Sequence, residues 1–353
     1  MKIGKRELRI PIIQGGMGVG ISLSGLAGAV AACGGMGVIS AAHPGYREPD
    51  FYENPLAVNC RALKEEIQKA KTRVREGLVG VNIMVAMEHY ADYVRAAIAA
   101  GADAIISGAG LPTELPALAQ GADILLAPIV SSARAVKVIC RAWERKAGRY
   151  PDFVVVEGPL AGGHLGFSAE EAEGGTAASL ETIVPEVIAE LRPYEEKAGR
   201  PIPVFPAGGI FDGADIARME KLGAAGAQIA TRFIATEECD AAPGYKQAMV
   251  DAAEEDVRIV RSPVGMPGRA LRSPLIERVA AAGRLAPRRC LRCIRTCDPA
   301  TTPYCITDAL IAAAKGDWEN GLFFCGANVG RVKGITTVAA LMQELVTDWR
   351  NNR

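Results

Sequence analysis

His164 is one of only three histidines in 353 residues, and it lies in the glycine-rich stretch GPLAGGHLGF, residues 158–167. This stretch overlaps the end of the apolar run FVVVEG. Glycine permits unusual backbone dihedrals and close approach of the backbone to a ligand. Imidazole gives or takes a proton near neutral pH. The pattern therefore predicts that His164 is a catalytic acid–base group on a ligand-binding loop; the alternative is a loop histidine that faces water.

A second chemical feature is the cysteine-rich segment 290–325, which begins with the spacing C-x2-C-x3-C. Thiolates this dense suit zinc or an iron–sulfur cluster, since both are held by four cysteines. Our hypothesis is a [4Fe–4S] cluster with Cys325 as a substitute for its fourth ligand. Structural zinc and reduced, metal-free thiols are the alternatives. The four predicted ligands are Cys290, Cys293, Cys297 and Cys305.

The elements that must position these residues are eight short apolar runs that alternate with helical patterns. Near-continuous apolar runs are typical of parallel strands covered on both faces. Eight strand–helix units predict an α/β fold of the closed (β/α)8 TIM-barrel type, with a doubly wound sheet as the alternative. The runs span residues 10–16, 37–42, 79–85, 104–110, 123–130, 153–159, 202–209 and 227–233.

The remainder of the chain has a different pattern. Residues 236–353 are mostly helical in pattern and show no obvious core of their own. We therefore predict a barrel domain over residues 1–235 and a helical extension over residues 236–353 that packs across the barrel mouth. The cysteine-rich segment lies in this extension.

Glycine pairs follow the first, sixth and seventh apolar runs, where a barrel of this kind binds its ligands. The stretch AGGIFDGADI places two exposed N–H groups before a helix, and helix N-termini attract phosphate. These features predict a phosphate site at the seventh and eighth strands. His43 follows the second run and is a further candidate to line the mouth. His89 begins a helix, and we assign it a surface or capping role.

Composition excludes several classes of function. Forty basic residues balance forty acidic ones and neither sign forms a long block, so we expect no nucleic-acid or membrane partner.

The apolar run 21–42 is interrupted by serines and glycines, which favours a buried helix followed by a buried strand. No secretory signal pattern is visible, so we expect a cytoplasmic protein with cysteines that are not in structural disulfides.

Six motifs in order carry a family resemblance: PIIQGGM, GVNIM, SGAG, EGPLAGGHLG, PVFPAGGIFDG and QIATRFIATEE. Together they resemble the nitronate monooxygenase (2-nitropropane dioxygenase) family, most closely its FMN-dependent enoyl-acyl-carrier-protein reductase II branch. The similarity continues into APGYKQAMVDA and GDWENGLFFCGANVGRV, so it covers nearly the whole chain. The cysteine spacing departs from this branch and resembles the cluster-binding run of the 2,4-dienoyl-CoA reductase group.

The resemblance implies FMN at the top of the barrel and assigns a site residue by residue. His164 corresponds to the active-site histidine of the family, which is a base in nitronate-oxidising members and lies by the acyl substrate in the reductase branch. Ala230 replaces the glycine that the family usually has. The residues implied to bind FMN are Gly16 and Met17 beside the isoalloxazine, Asn82 at its polar edge, Gly163 in the GGH motif, and Gly208, Gly209, Ala230 and Thr231 around the phosphate.

Three functions follow as expectations. The first is an FMN oxidoreductase that passes hydride to an activated C=C bond, with NAD(P)H or another donor as the source of electrons. The second is a nitronate monooxygenase that consumes O2. The third, of another class, is a flavin-binding subunit or sensor without catalysis. The partners expected are a small-molecule, acyl-carrier-linked or CoA-linked substrate, a second copy in a homodimer, and an electron-transfer partner if a cluster is present.

Overall fold

Eight parallel strands form a closed barrel in the computed structural model, which describes all residues, 1–353. Each strand pairs with its neighbours in chain order, and the last strand pairs with the first. The predicted (β/α)8 TIM barrel is confirmed, and the doubly wound alternative is wrong. The strands are β1 (Ile12–Gln14), β2 (Met36–Ser40), β3 (Leu78–Met84), β4 (Ala104–Gly108), β5 (Leu125–Val130), β6 (Val154–Glu157), β7 (Val204–Ala207) and β8 (Ala227–Ile229).

Helices surround the barrel, and their ends show ordinary capping chemistry. At the start of α5, the Ser132 hydroxyl accepts from the Ala135 N–H. Gly148 ends this helix at a φ of 58°, where a side chain would be strained. Its inner face buries Trp143 completely. The helices of the barrel are α1 (Ser24–Ala32), α2 (Pro55–Arg73), α3 (Tyr90–Ala99), α4 (Leu115–Leu118), α5 (Ala133–Ala147), α6 (Ala169–Gly174), α7 (Leu180–Ala198), α8 (Gly213–Lys221) and α9 (Thr231–Ile234).

The apolar run over residues 21–42 forms α1 and then β2. Leu26 and Val30 of α1 are fully buried, as is Val38 of β2. The prediction of a buried helix followed by a buried strand is therefore confirmed. No helix of the structure combines the length and the apolar character that a bilayer crossing requires.

Apolar side chains fill the interior of the barrel at the end where its strands begin. Phe153 and Phe205 meet edge to face, with ring centroids 5.7 Å apart. Ile3 and Leu8, from the chain before β1, are buried in the same cluster. Because this end is packed with side chains, the space for a ligand lies at the opposite end, where the strands finish.

The residues after the barrel contain four α-helices, which together cover fewer than half of residues 236–353. They also contain a β-hairpin that the sequence did not reveal, formed by β9 (Val257–Arg261) and β10 (Pro267–Leu271). A cluster of 16 buried residues, most of them from this extension, also includes Tyr46 and Phe51 from the loop after β2. The extension therefore has a core that is shared with the barrel loops. Its helices are α10 (Pro243–Asp251), α11 (Pro274–Ala282), α12 (Ile306–Ala314) and α13 (Val338–Asn352).

Candidate active site

A cavity of about 250 Å³ lies at the carboxyl ends of the barrel strands. The extension supplies part of its wall through Met266, Leu310 and Phe324. All nine residues that the resemblance assigned to catalysis or FMN line this one cavity. They are Gly16, Met17, Asn82, Gly163, His164, Gly208, Gly209, Ala230 and Thr231.

His164 is held in the cavity wall by the extension. Gly163 and His164 form a short strand that pairs antiparallel with β10. The Nε2 atom of His164 lies 2.7 Å from the Ser262 hydroxyl oxygen, which also accepts from the Val264 N–H. The Ser262 hydroxyl can donate to Nε2, and in that tautomer the imidazole carries its proton on Nδ1. Nδ1 has no partner in the protein, so it is available to a ligand.

Among the titratable groups of the cavity, His164 and Glu157 have pKa values that burial shifts in opposite directions. Burial lowers the pKa of His164 to about 4, so its imidazole is neutral at pH 7. Burial raises the pKa of Glu157, the last residue of β6, to about 7, against a smaller lowering effect of the hydrogen bond from the Gly166 N–H. Glu157 is thus the cavity group that changes its protonation near neutral pH.

Arg269 fixes the loop that precedes His164. This side chain is buried on β10, and its Nη1 donates to the carbonyl oxygens of Pro159 and Ala161, each at 2.6 Å. A buried guanidinium that is satisfied by backbone carbonyls stabilises one loop conformation, because moving the loop would leave the charge unpaired. The hairpin of the extension therefore positions His164 from two sides.

The predicted phosphate cradle has the geometry to bind an anion. Gly208 and Gly209 both have a φ of 90°, and their N–H groups and that of Ala230 donate to no group of the protein. Ala230 has a φ of −125°, which lies outside the left-handed region that favours glycine. The Thr231 hydroxyl accepts from the Gly326 N–H at 2.9 Å. Three free N–H groups at the cavity wall fit a phosphate.

Gly16 and Asn82 lie against each other across the top of β1 and β3. A Cβ atom at Gly16 would approach the Asn82 Cβ to 2.3 Å, so only glycine fits there. The Asn82 Nδ2 donates to the Ile106 carbonyl at 3.3 Å. Its carbonyl oxygen has no protein partner and remains able to accept from a ligand. Met17 is tied by its N–H to the Ser22 hydroxyl at 2.8 Å.

The structure does not support the predicted metal site at Cys290, Cys293, Cys297 and Cys305. No three or more His, Cys, Asp or Glu side chains are grouped so that they could hold a metal ion. The Cys293 thiol contacts the Thr307 hydroxyl at 3.2 Å. Cys325, the proposed substitute ligand, lies in the wall of the cavity, where burial raises its pKa to about 12.

The other two histidines lie outside the cavity. His43 is buried behind the wall, where its Nδ1 accepts from Asn59 and its Nε2 lies 3.0 Å from the Thr307 hydroxyl. It therefore does not line the mouth. His89 precedes α3 at the surface, 3.7 Å from the Asp92 carboxylate.

Comparison with known proteins identifies the family. The family model described as nitronate monooxygenase matches residues 1–348. The chain belongs to the nitronate monooxygenase family. The predicted resemblance is therefore confirmed, and the match includes the barrel as well as nearly all of the extension.

Three relatives show the range of this family. A probable nitronate monooxygenase from Staphylococcus saprophyticus is 26% identical over 78% of this chain and 79% of its own length. A (3aS,4S,5R,7aS)-5-hydroxy-7a-methyl-1-oxo-octahydro-1H-indene-4-carboxyl-CoA dehydrogenase from Mycobacterium tuberculosis is 27% identical over 78% of this chain, which spans 66% of that relative. The structure of FabK from Thermotoga maritima has a TM-score of 0.75 at 26% identity, over 98% of this chain and 94% of its own.

Sequence reasoning missed Glu157, Ser262 and Arg269 as site residues. Glu157 stands inside the motif that singled out His164, so its position after an apolar strand was an available signal. Ser262 and Arg269 follow His164 by about a hundred residues and lie in the hairpin that was not predicted. Nothing in their local pattern indicates a contact with the His164 loop.

Proposed function

We propose that this protein is an FMN-dependent oxidoreductase that adds a hydride and a proton across the activated C=C bond of an enoyl thioester, with NAD(P)H as donor. The observation that carries this proposal is one cavity that combines a free phosphate cradle, a neutral His164 with an available Nδ1–H, and a carboxyl group of raised pKa. FMN, when bound, supplies the hydride chemistry.

The residues present fit FMN better than a dinucleotide. The free N–H groups of Gly208, Gly209 and Ala230 form one phosphate site, and the chain has no second phosphate motif for an adenosine unit. The Asn82 carbonyl oxygen offers an acceptor for a ring N–H on the opposite side of the cavity. Gly16 keeps the space between these two sites open.

The charges of the cavity favour a neutral electrophile as substrate. Arg232 is the only lysine or arginine in the lining, and its guanidinium is already paired with the Glu344 carboxylate at 2.8 and 3.1 Å. An anionic nitronate would therefore meet no unpaired cation there. An enoyl thioester needs only a hydrogen-bond donor for its carbonyl oxygen, which the His164 Nδ1–H provides. The names of the relatives that act on CoA-linked compounds agree with a thioester.

Glu157 is assigned the role of proton donor. With a pKa of about 7, its carboxyl group is substantially protonated at neutral pH, whereas neutral imidazole is a poor acid. When the β-carbon of the substrate receives hydride, carbanion character develops at the α-carbon. The proton from Glu157 neutralises it. Each turnover consumes one proton and leaves the donor oxidised, so Glu157 must be reprotonated from solvent.

A pH profile tests this role. We expect kcat/KM of the wild type to fall about tenfold per pH unit above about pH 7, because only the protonated form of Glu157 donates. Glu157→Gln keeps a neutral side chain of similar size but has no proton to give, so its profile should be flat through this range. A variant that retains the wild-type inflection would show that another group titrates.

Nitronate monooxygenase activity is the second candidate, because the matching family model carries that description. It uses the same cavity and the same histidine. A flavin-binding subunit without catalysis is the third candidate function. It gives no functional role to the unpaired Nδ1 of His164 or to the raised pKa of Glu157.

Anaerobic stopped-flow spectroscopy separates the three candidates. Acid extraction of the purified protein should first release FMN. Release of FAD would contradict the inference that the cavity holds a single phosphate site. NADH or NADPH should then bleach the bound flavin, and crotonyl-CoA should restore its colour. Bleaching by ethylnitronate, with no response to either nicotinamide, would replace the proposal with the monooxygenase. A flavin that responds to none of these reagents would favour the non-catalytic subunit.

A further inference from the structure

Five exposed arginines crowd one surface segment, and none of them has a carboxylate partner. The segment covers residues 284–295 and contains no acidic residue. Arg284 and Arg295 donate only to backbone carbonyls, and none of the five takes part in an ion pair. Some exposed arginines elsewhere pair with acids, as Arg61 does with Asp50 at 3.0 Å, and others such as Arg75 do not; this segment differs in holding five unpaired arginines within twelve residues. The arginines are Arg284, Arg288, Arg289, Arg292 and Arg295.

This arginine segment is anchored beside the cavity mouth. The Arg295 N–H donates to the Ala86 carbonyl at 3.0 Å, and the Glu88 N–H donates to the Cys293 carbonyl at 3.1 Å. Both contacts reach the loop after β3, whose last residue, Met84, lines the cavity. None of the five arginines lines the cavity itself. The positive charge therefore lies outside the mouth, close to its rim.

An exposed aromatic ring adjoins the arginine segment. The Arg289 guanidinium carbon lies 4.5 Å from the centroid of the Tyr52 ring. Tyr52 is 44% exposed, whereas Phe51 before it is fully buried. A ring that is open to solvent beside unpaired cations offers a stacking surface for a base and charge for its phosphates.

We propose that the arginine segment and Tyr52 bind the phosphorylated adenosine end of a coenzyme A thioester while its acyl group lies in the cavity. This inference rests on the proposed function, because it names the carrier of the enoyl substrate. In coenzyme A a flexible pantetheine arm separates the thioester from the phosphates, so a ligand with its acyl group in the cavity carries its phosphates outside. Arginine matches phosphate with two parallel hydrogen bonds, and the adenine stacks on Tyr52.

The position of the charge favours coenzyme A over the nicotinamide donor. In NAD(P)H the reacting ring is joined through one ribose to the pyrophosphate, so its phosphates stay close to the cavity. The unpaired arginines lie on a separate segment outside the lining. A carrier with a long arm therefore suits this arrangement better than a dinucleotide.

The double variant Arg288→Ala/Arg289→Ala tests the proposal. We expect its KM for crotonyl-CoA to rise about three- to tenfold, because two exposed ion pairs with the phosphates are lost. Its Kd for free coenzyme A, measured by calorimetry on the FMN-loaded protein, should rise by about the same factor. Its KM for crotonyl-pantetheine should not change. The wild-type preference for the CoA thioester should decrease with added salt. Arg75→Ala/Arg145→Ala, which removes two exposed arginines without ion pairs at the end of the barrel where the strands begin, is the matched control.

Three outcomes would overturn the proposal. The first is a wild type that binds coenzyme A no more tightly than pantetheine. The second is a double variant whose KM rises for NADPH but not for crotonyl-CoA. The third is an effect confined to acyl-carrier-protein thioesters. If crotonyl-CoA is not reduced but the double variant still weakens binding of coenzyme A and the control does not, the binding surface stands and the proposed reaction fails.

Discussion

His164→Ala should fold and retain FMN but lose about 10²–10³-fold of its turnover, the range for removal of one positioned donor that stabilises a developing oxyanion. In the proposed mechanism the neutral imidazole donates from Nδ1, while its Nε2 accepts from the Ser262 hydroxyl at 2.7 Å. Removal of the ring removes this donor and leaves the backbone strand with β10 in place. The measurement is kcat and KM with the enoyl thioester, together with the flavin-to-protein ratio.

The control for this variant is His89→Ala. His89 lies at the surface before α3 and outside the cavity, so its removal should leave turnover unchanged. A loss within about threefold for His164→Ala would contradict the assignment, since that is under about 1 kcal/mol of barrier. His164 would then shape the pocket without stabilising the charge that develops on the substrate.

Gly208→Ala should weaken FMN binding while the barrel still folds. Gly208 has a φ of 90°, and an added Cβ would lie 2.7 Å from the Ala161 nitrogen and 2.8 Å from the Ala161 Cβ. Such backbone strain costs on the order of 1–3 kcal/mol before any clash is counted. To relieve the contact between the added Cβ and Ala161, either the phosphate cradle or the loop that Arg269 holds must move.

We expect the Kd for FMN to rise at least about tenfold, which corresponds to about 1.4 kcal/mol. Fluorescence quenching of added FMN measures this constant, and circular dichroism checks the fold. Gly199→Ala is the matched control, because Gly199 also has a positive φ, of 64°, but its added Cβ would meet nothing within 4 Å. Equal loss of FMN affinity in both variants would mean that general destabilisation, and not the cradle, is responsible.

Much of the fold was visible in local patterns. Strand β6 is a continuous apolar run, and the run 21–42 is broken by glycines where α1 gives way to β2. Hydrophobic periodicity and glycine breaks act within a few residues, so they can be recognised without the tertiary structure. The β-hairpin of the extension was missed because β9 has arginines three residues apart, at 258 and 261, which breaks a regular strand alternation. Strand β10 begins with proline and glycine, which weaken a strand signal.

The cysteine spacing misled for a related reason. Short spacing in sequence brings thiolates to one segment, but a metal site also requires them to point to one centre. In the folded chain the Cys293 thiol meets Thr307 and Cys325 joins the cavity wall. Spacing alone cannot show this, because helix α12 and the loop after it decide where each side chain points.

By itself the sequence determined the eight strands, the glycine-rich loops after them and the candidate histidine, because each depends on residue types that act over one turn or one strand. Only the tertiary structure decided how His164 is used. Its Ser262 partner is 98 residues away, and the buried Arg269 holds the preceding loop from the same hairpin. Burial then lowers the pKa of His164 and raises that of Glu157. Burial and long-range contacts arise only when distant segments pack together, so no local pattern could have predicted them.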